Sequence, residues 1–80
     1  MASKEDLQDW LIQSLKAHNG SASIVEVCEY IWANYENDLR RSGDLFFTWQ
    51  YDIRWAAVRL RKEGVMRAAG LSPRGSWELV

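Results

Sequence analysis

The spacing of apolar residues changes period at Gly64, and that change limits what the chain can fold into. Before Gly64, apolar residues recur every three to four positions in three separate segments. After it they alternate in short runs broken by Gly and Pro. A helical stripe must be buried against a partner face and an alternating strand against a sheet edge, so helices must pack against a small terminal sheet. Eighty residues make one domain, and a chain that short buries only about 60% of the surface it exposes when unfolded. Five Trp, three Tyr and two Phe help compensate, each aromatic burying roughly 150 to 250 Å².

Ser3 followed by Asp6 marks a helix start, and Leu7, Leu11, Ile12 and Leu15 continue at helical spacing, predicting a first helix over about 4–17. His18-Asn19-Gly20 ends it, because Asn and Gly tolerate the left-handed backbone that closes a helix. Ser21-Ala22 reads as a very short strand or extended chain. Ser23 with Glu26 is a second capping box, and Val27, Cys28, Ile31, Trp32 and Tyr35 form the stripe of a second helix over about 24–35. The polar stretch from Asn34 to Asp44 reads as a loop.

Thr48 is read as the N-cap of a third helix that runs to Gly64. On it Trp49, Ile53, Ala56 and Leu60 share one stripe, and Tyr51, Trp55 and Val58 lie nearly opposite. Gln50, Arg54, Ala57 and Arg61 share a third face. The pattern predicts a helix held by apolar contacts on two sides with one polar, basic face open. Beyond Gly64, residues 65–68 and 76–80 read as the strands of a hairpin whose turn contains Pro73, Arg74 and Gly75. The expected class is α+β, a winged helix-turn-helix over 1–80, with three helices (about 4–17, 24–35 and 48–63) and a C-terminal hairpin wing at 65–80.

The net charge of −1 conceals an asymmetry. Residues 1–38 carry two lysines against seven carboxylates, net −5, and residues 39–80 carry eight cations against four carboxylates, net +4. One cysteine excludes an internal disulfide, and no Cys/His spacing assembles a zinc site, which fits a reducing compartment. The opening Met-Ala-Ser-Lys-Glu-Asp lacks the basic flank and apolar run of a signal peptide. No apolar stretch approaches the roughly 18 residues of a membrane span, so a cytoplasmic location without membrane association is expected.

Trp55-Ala56, Leu60, Lys62 and Gly64, then Arg74-Gly75-Ser76-Trp77-Glu78-Leu79, together with the Ala22-Ser23-Ile24 entry to the second helix, resemble the N-terminal winged-helix domain of Mrr-type restriction proteins. The resemblance spans nearly the whole chain on short motifs built mostly from core and turn residues. It implies a DNA-recognition module that works beside a separate nuclease domain, and this chain contains no nuclease segment. In physical terms Trp55 and Leu60 are expected to wedge the third helix between the first two helices and the hairpin, and Trp77 to cover the core from the last strand.

Gln50, Arg54 and Arg61 are the candidates for a DNA groove, since Arg pairs with guanine O6 and N7 and Gln with adenine N6 and N7. Arg74 at the wing tip and Arg40 with Arg41 before the third helix are the candidates for phosphate or minor-groove contacts. A lone domain with few phosphate contacts binds weakly, so a homodimer or a separate effector domain is the expected supplement. The alternative is a protein–protein interaction or dimerisation module without DNA binding, marked by one or two partly exposed members of Trp10, Trp32, Tyr35 and Trp49 and by an apolar patch on helix one or two. His18 has no patterned partner and Cys28 lies on an apolar stripe, so no catalytic constellation, metal site, cofactor or small-molecule ligand is expected.

Overall fold

A computed structural model describes residues 2–71 and 73–80. In chain order the elements are α1 (Lys4–Ala17), β1 (Ser21–Ser23), α2 (Ile24–Arg40), α3 (Leu45–Lys62), a single 3₁₀ turn (Ala69–Leu71) and β2 (Ser76–Glu78). This is an α+β layout of three helices and a two-stranded antiparallel sheet, consistent with a winged helix. Ser72, within the expected wing turn, lies outside the described residues.

α1 begins where the Ser3 backbone N–H donates to the Asp6 carboxylate at 2.9 Å. It ends with the Gly20 N–H donating to the Leu15 carbonyl at 2.7 Å, a closure for which Asn19 and Gly20 both adopt positive φ. α2 opens with the reciprocal pair read from the sequence: Ser23 N–H donates to Glu26 Oε1 (2.9 Å) and Glu26 N–H to Ser23 Oγ (3.1 Å). The helix does not stop at Tyr35. Tyr35 has non-helical backbone angles, marking a kink, and the helix then continues to Arg40. Leu39 supplies the reason, being fully buried one turn beyond Tyr35 on the Ile31–Tyr35 stripe, while Glu36 and Arg40 pair across the solvent side at 2.7 Å. Tyr35 itself lies flat on Trp10 of α1, with ring centroids 4.2 Å apart and planes 6° apart.

α3 starts three residues earlier than expected, with Asp44 as its N-cap. Thr48 is inside the helix, and its hydroxyl donates to Asp52 Oδ2 at 2.7 Å. Asp52 is buried and also faces Lys4 of α1 across 3.9 Å, so it ties α1 to α3. The core combines Leu7, Leu11 and Leu15 of α1, Val27, Ile31 and Leu39 of α2, and Trp49, Ile53, Ala56, Ala57 and Leu60 of α3. Met66 and Trp77 close it from the C-terminal segment.

The last strand pairs with β1 in the register Ser21↔Glu78, Ala22↔Trp77 and Ser23↔Ser76. On its other side the expected strand at 65–68 is reduced to one bridge, Met66↔Leu79, reinforced by Arg67 N–H to the Glu78 carbonyl and Val80 N–H to the Val65 carbonyl. Gly64 and Gly75, both at φ +79°, allow the sharp turns that bring these segments together.

Candidate nucleic-acid interface

α3 packs on the rest of the molecule through one side only. Trp49, Ile53, Ala56 and Leu60 are buried, as their spacing predicts, but the opposite stripe is not: Tyr51 is 62% exposed, Trp55 58% and Val58 36%. Phe47, one turn before Tyr51, is 83% exposed and extends the same ridge. Trp55 therefore does not wedge α3 into the core. An 80-residue chain has one layer of partners to offer this helix, and α1, α2 and the sheet all lie on the Trp49 side. Of the aromatics expected to be partly exposed, Trp10, Trp32 and Tyr35 are half-buried and Trp49 is buried, and the most open rings belong to α3.

The cations of α3 border this ridge. At 100° per residue Arg54 and Arg61 fall on one flank and Arg59 on the other, and Lys62 continues the line of the ridge beyond Val58. Arg54, Arg59 and Lys62 are exposed and Arg61 is half-buried. The only carboxylate within α3, Asp52, is buried, and Glu63, just past the helix end, pairs with Arg59 at 3.5 Å. The exposed carboxylates Glu5 and Asp9 lie on α1, and Glu26, Glu29 and Asp38 on α2. The charge asymmetry along the sequence is thus an asymmetry of helices.

The six residues singled out from the sequence do not form one face. Gln50 and Arg54 are together and exposed, with an Arg54 guanidinium N–H donating to the Gln50 carbonyl at 2.8 Å. Ala57, placed on the same polar face, is buried. Arg61 is turned toward the C-terminal segment, its Nε–H donating to the Arg67 carbonyl at 3.1 Å, so part of its hydrogen-bonding capacity holds the sheet in place. Arg40 is committed elsewhere: it pairs with Glu36, and its guanidinium lies 5.3 Å from the Trp32 ring centroid and 5.5 Å from that of Phe46. Arg41 caps α2 and Arg74 sits beside Gly75, both exposed.

Beside Arg54, a shallow groove of about 530 Å³ runs between α2 and α3. Ile24, Cys28, Trp32, Phe46 and Trp49 form its floor, and Glu29, Gln50 and Arg54 its polar rim. Burial pushes the Cys28 thiol above its ordinary range, with nearby Arg54 opposing the shift, so the thiol stays protonated at neutral pH. His18 Nδ1 lies 2.9 Å from the Ser14 carbonyl at the end of α1, a helix-end contact. Among the described residues no cluster of three or more His, Cys, Asp or Glu side chains can hold a metal ion. No described helix is long and apolar enough to cross a membrane.

Sequence reasoning missed the ridge of Phe47, Tyr51, Trp55 and Val58 and the adjoining Arg59 and Lys62. The signal was present: two opposed apolar stripes on one helix cannot both be covered in so small a chain. The class these features define is an α+β winged-helix scaffold whose third helix is open to solvent. Comparison of the chain with protein-family models, curated proteins and solved structures finds no match.

Proposed function

We propose that the chain is a DNA-binding module that sets the outer face of α3 against the nucleic acid, with the Arg67–Arg74 end of the sheet beside it on the phosphate backbone. One observation carries the reading. Every exposed charge within α3 is a cation; the exposed carboxylates Glu5, Asp9, Glu26, Glu29 and Asp38 lie on α1 and α2, and Asp44 and Glu63 stand only at the two ends of α3. Phosphate neutralisation supplies most non-specific affinity, so this excess of cations on α3, offset at its border by Glu63 and Glu5, is what supports such a role. The resemblance of Trp55-Ala56 and Arg74-Gly75-Ser76-Trp77-Glu78-Leu79 to the Mrr-type N-terminal domain supports the same reading, as recognition for a restriction nuclease carried elsewhere. Arg54 and Gln50 are the base-reading candidates, and Lys62, Arg59, Arg74 and Arg41 the phosphate-contacting ones. Arg61 acts mainly by positioning the wing, and Arg40 by bracing Trp32 and Phe46.

About four phosphate contacts give a salt slope near −3.6, a loss of roughly a hundredfold in affinity between about 50 and 200 mM salt. The double variant Lys62→Ala/Arg74→Ala removes two of these four contacts and is expected to halve that slope and to lose roughly tenfold more affinity at the lower salt than at the higher. Anisotropy titration of a labelled random-sequence duplex measures both. The open apolar ridge favours a second reading, a docking module for another protein. Absence of salt-dependent binding to duplex and to single-stranded DNA alike at about 50 mM would sink the DNA reading and leave that one standing.

A further inference from the structure

The proposed DNA face has an unusual centre. A helix that reads an intact major groove presents hydrogen-bonding side chains to the polar edges of base pairs. α3 presents Phe47, Tyr51, Trp55 and Val58 along its crest, its one amide and its arginines lie to the sides, and Lys62 ends the crest. Driven into an intact groove, this crest covers base-edge donors and acceptors without replacing their water partners, which is unfavourable. Aromatic rings are suited to something a paired, stacked base does not offer, its flat π-face.

Resting on the DNA-binding reading, we propose that the crest of α3 takes nucleic acid whose bases are unpaired, as in a single-stranded segment or a bulge, by stacking bases on Trp55, Tyr51 and Phe47 while the flanking cations follow the backbone. Three features support this occupant. The crest aromatics recur every four residues, about 6 Å along the helix axis, whereas bases in an intact strand lie roughly 3.4 Å apart. The spacing of the rings is too wide for neighbouring stacked bases, so each ring is suited to receive its own unstacked base. Tyr51 and Trp55 meet edge to face, centroids 6.3 Å apart and planes 71° apart, so their π-faces point in different directions and accept bases that have left a common stack. Arg54 on one side, Arg59 on the other and Lys62 at the C-terminal end provide charge complementarity around the crest, as sequence-tolerant single-strand binding requires.

The test uses the full chain and three labelled DNA probes of the same sequence: a single strand, the intact duplex, and the duplex with an unpaired bulge. Affinities are measured by anisotropy at one salt concentration, with tryptophan fluorescence recorded alongside. Tighter binding of the single strand and the bulged duplex than of the intact duplex, by about tenfold, is expected, with quenching of tryptophan emission. Trp55→Ala and Tyr51→Ala are each expected to weaken single-strand binding about tenfold, and Trp55→Phe to restore most of it. Because these side chains are exposed, circular dichroism should show each variant folded. Intact duplex binding as tightly as the unpaired probes, or Trp55→Ala leaving single-strand affinity unchanged, overturns the stacking inference while the DNA reading stands. Failure of all three probes to bind in a salt-dependent way overturns both and assigns the crest to a protein partner.

Discussion

Ser23 and Glu26 each satisfy a backbone donor that the start of α2 would otherwise leave open, and this exchange gives the chain a measurable response to acid. The Ser23 backbone N–H, and to a lesser degree its hydroxyl, hold the Glu26 carboxyl below its ordinary value of 4.5. The folded state therefore prefers the charged form. Its stabilisation is complete above the unfolded value and is lost as pH falls through the lowered folded value. Glu26→Gln keeps the geometry but cannot titrate. Urea midpoints taken at about pH 6 and about pH 3.5 should fall less for this variant than for the parent chain. Equal falls would mean that the carboxylate is not coupled to folding. This feature was legible in the sequence because a capping box is local, its two members three residues apart. The flat Trp10–Tyr35 stack was not, because it depends on how α1 and α2 cross.

α3 poses the clearest question at the level of an element, since two of its tryptophans stand on opposite sides. Trp49 is 4% exposed and stacks with Trp32 at 6.3 Å, while Trp55 faces solvent. Trp49→Ala is expected to cost about 3 to 5 kcal/mol of stability and Trp55→Ala less than about 0.5 kcal/mol, both from urea unfolding. A large loss in Trp55→Ala would show that the crest is covered, and the binding proposals built on it would fall. The periodicity of α3 was plain in the sequence, and so were both stripes. Which stripe faces inward was not, because that is decided by the elements that pack on the helix. The same limit explains α2. Glu36, Asn37, Asp38 and Arg40 have the composition of a loop, and only Leu39, buried against the core, shows why the chain stays helical there. Thr48 resembles a cap by residue type, yet the earlier start of α3 makes it the partner of buried Asp52. Arg61 was rightly placed on a helix and Arg40 was expected in a loop, but their commitments to the Arg67 carbonyl and to Trp32 are tertiary contacts that no local pattern reveals.

At the scale of the whole molecule, the last strand joins the two oppositely charged halves of the chain. Ala22 lies opposite Trp77, the Leu79 N–H donates to the Gly20 carbonyl, and the Ile24 N–H at the start of α2 donates to the Gly75 carbonyl. The acidic first half is thus closed by the strand that follows the basic third helix. Trp77 is the apolar anchor of this closure, 4% exposed and continuous with Leu60 and Met66 in the core. An 80-residue domain has roughly 4 to 12 kcal/mol of total stability, and Trp77→Ala is expected to remove about 3 to 5 of it. Trp77→Phe keeps a ring in the site and should lose much less. Loss of the anchor also frees the segment that carries Arg67 and Arg74, so the salt slope for duplex binding should become shallower in Trp77→Ala wherever the variant remains folded. Titrating Trp77→Ala and Trp77→Phe side by side separates the two consequences. A Trp77→Ala chain that kept both the parent urea midpoint and the parent salt slope would mean that the sheet is an appendage to the three helices and plays no part in holding the DNA face together.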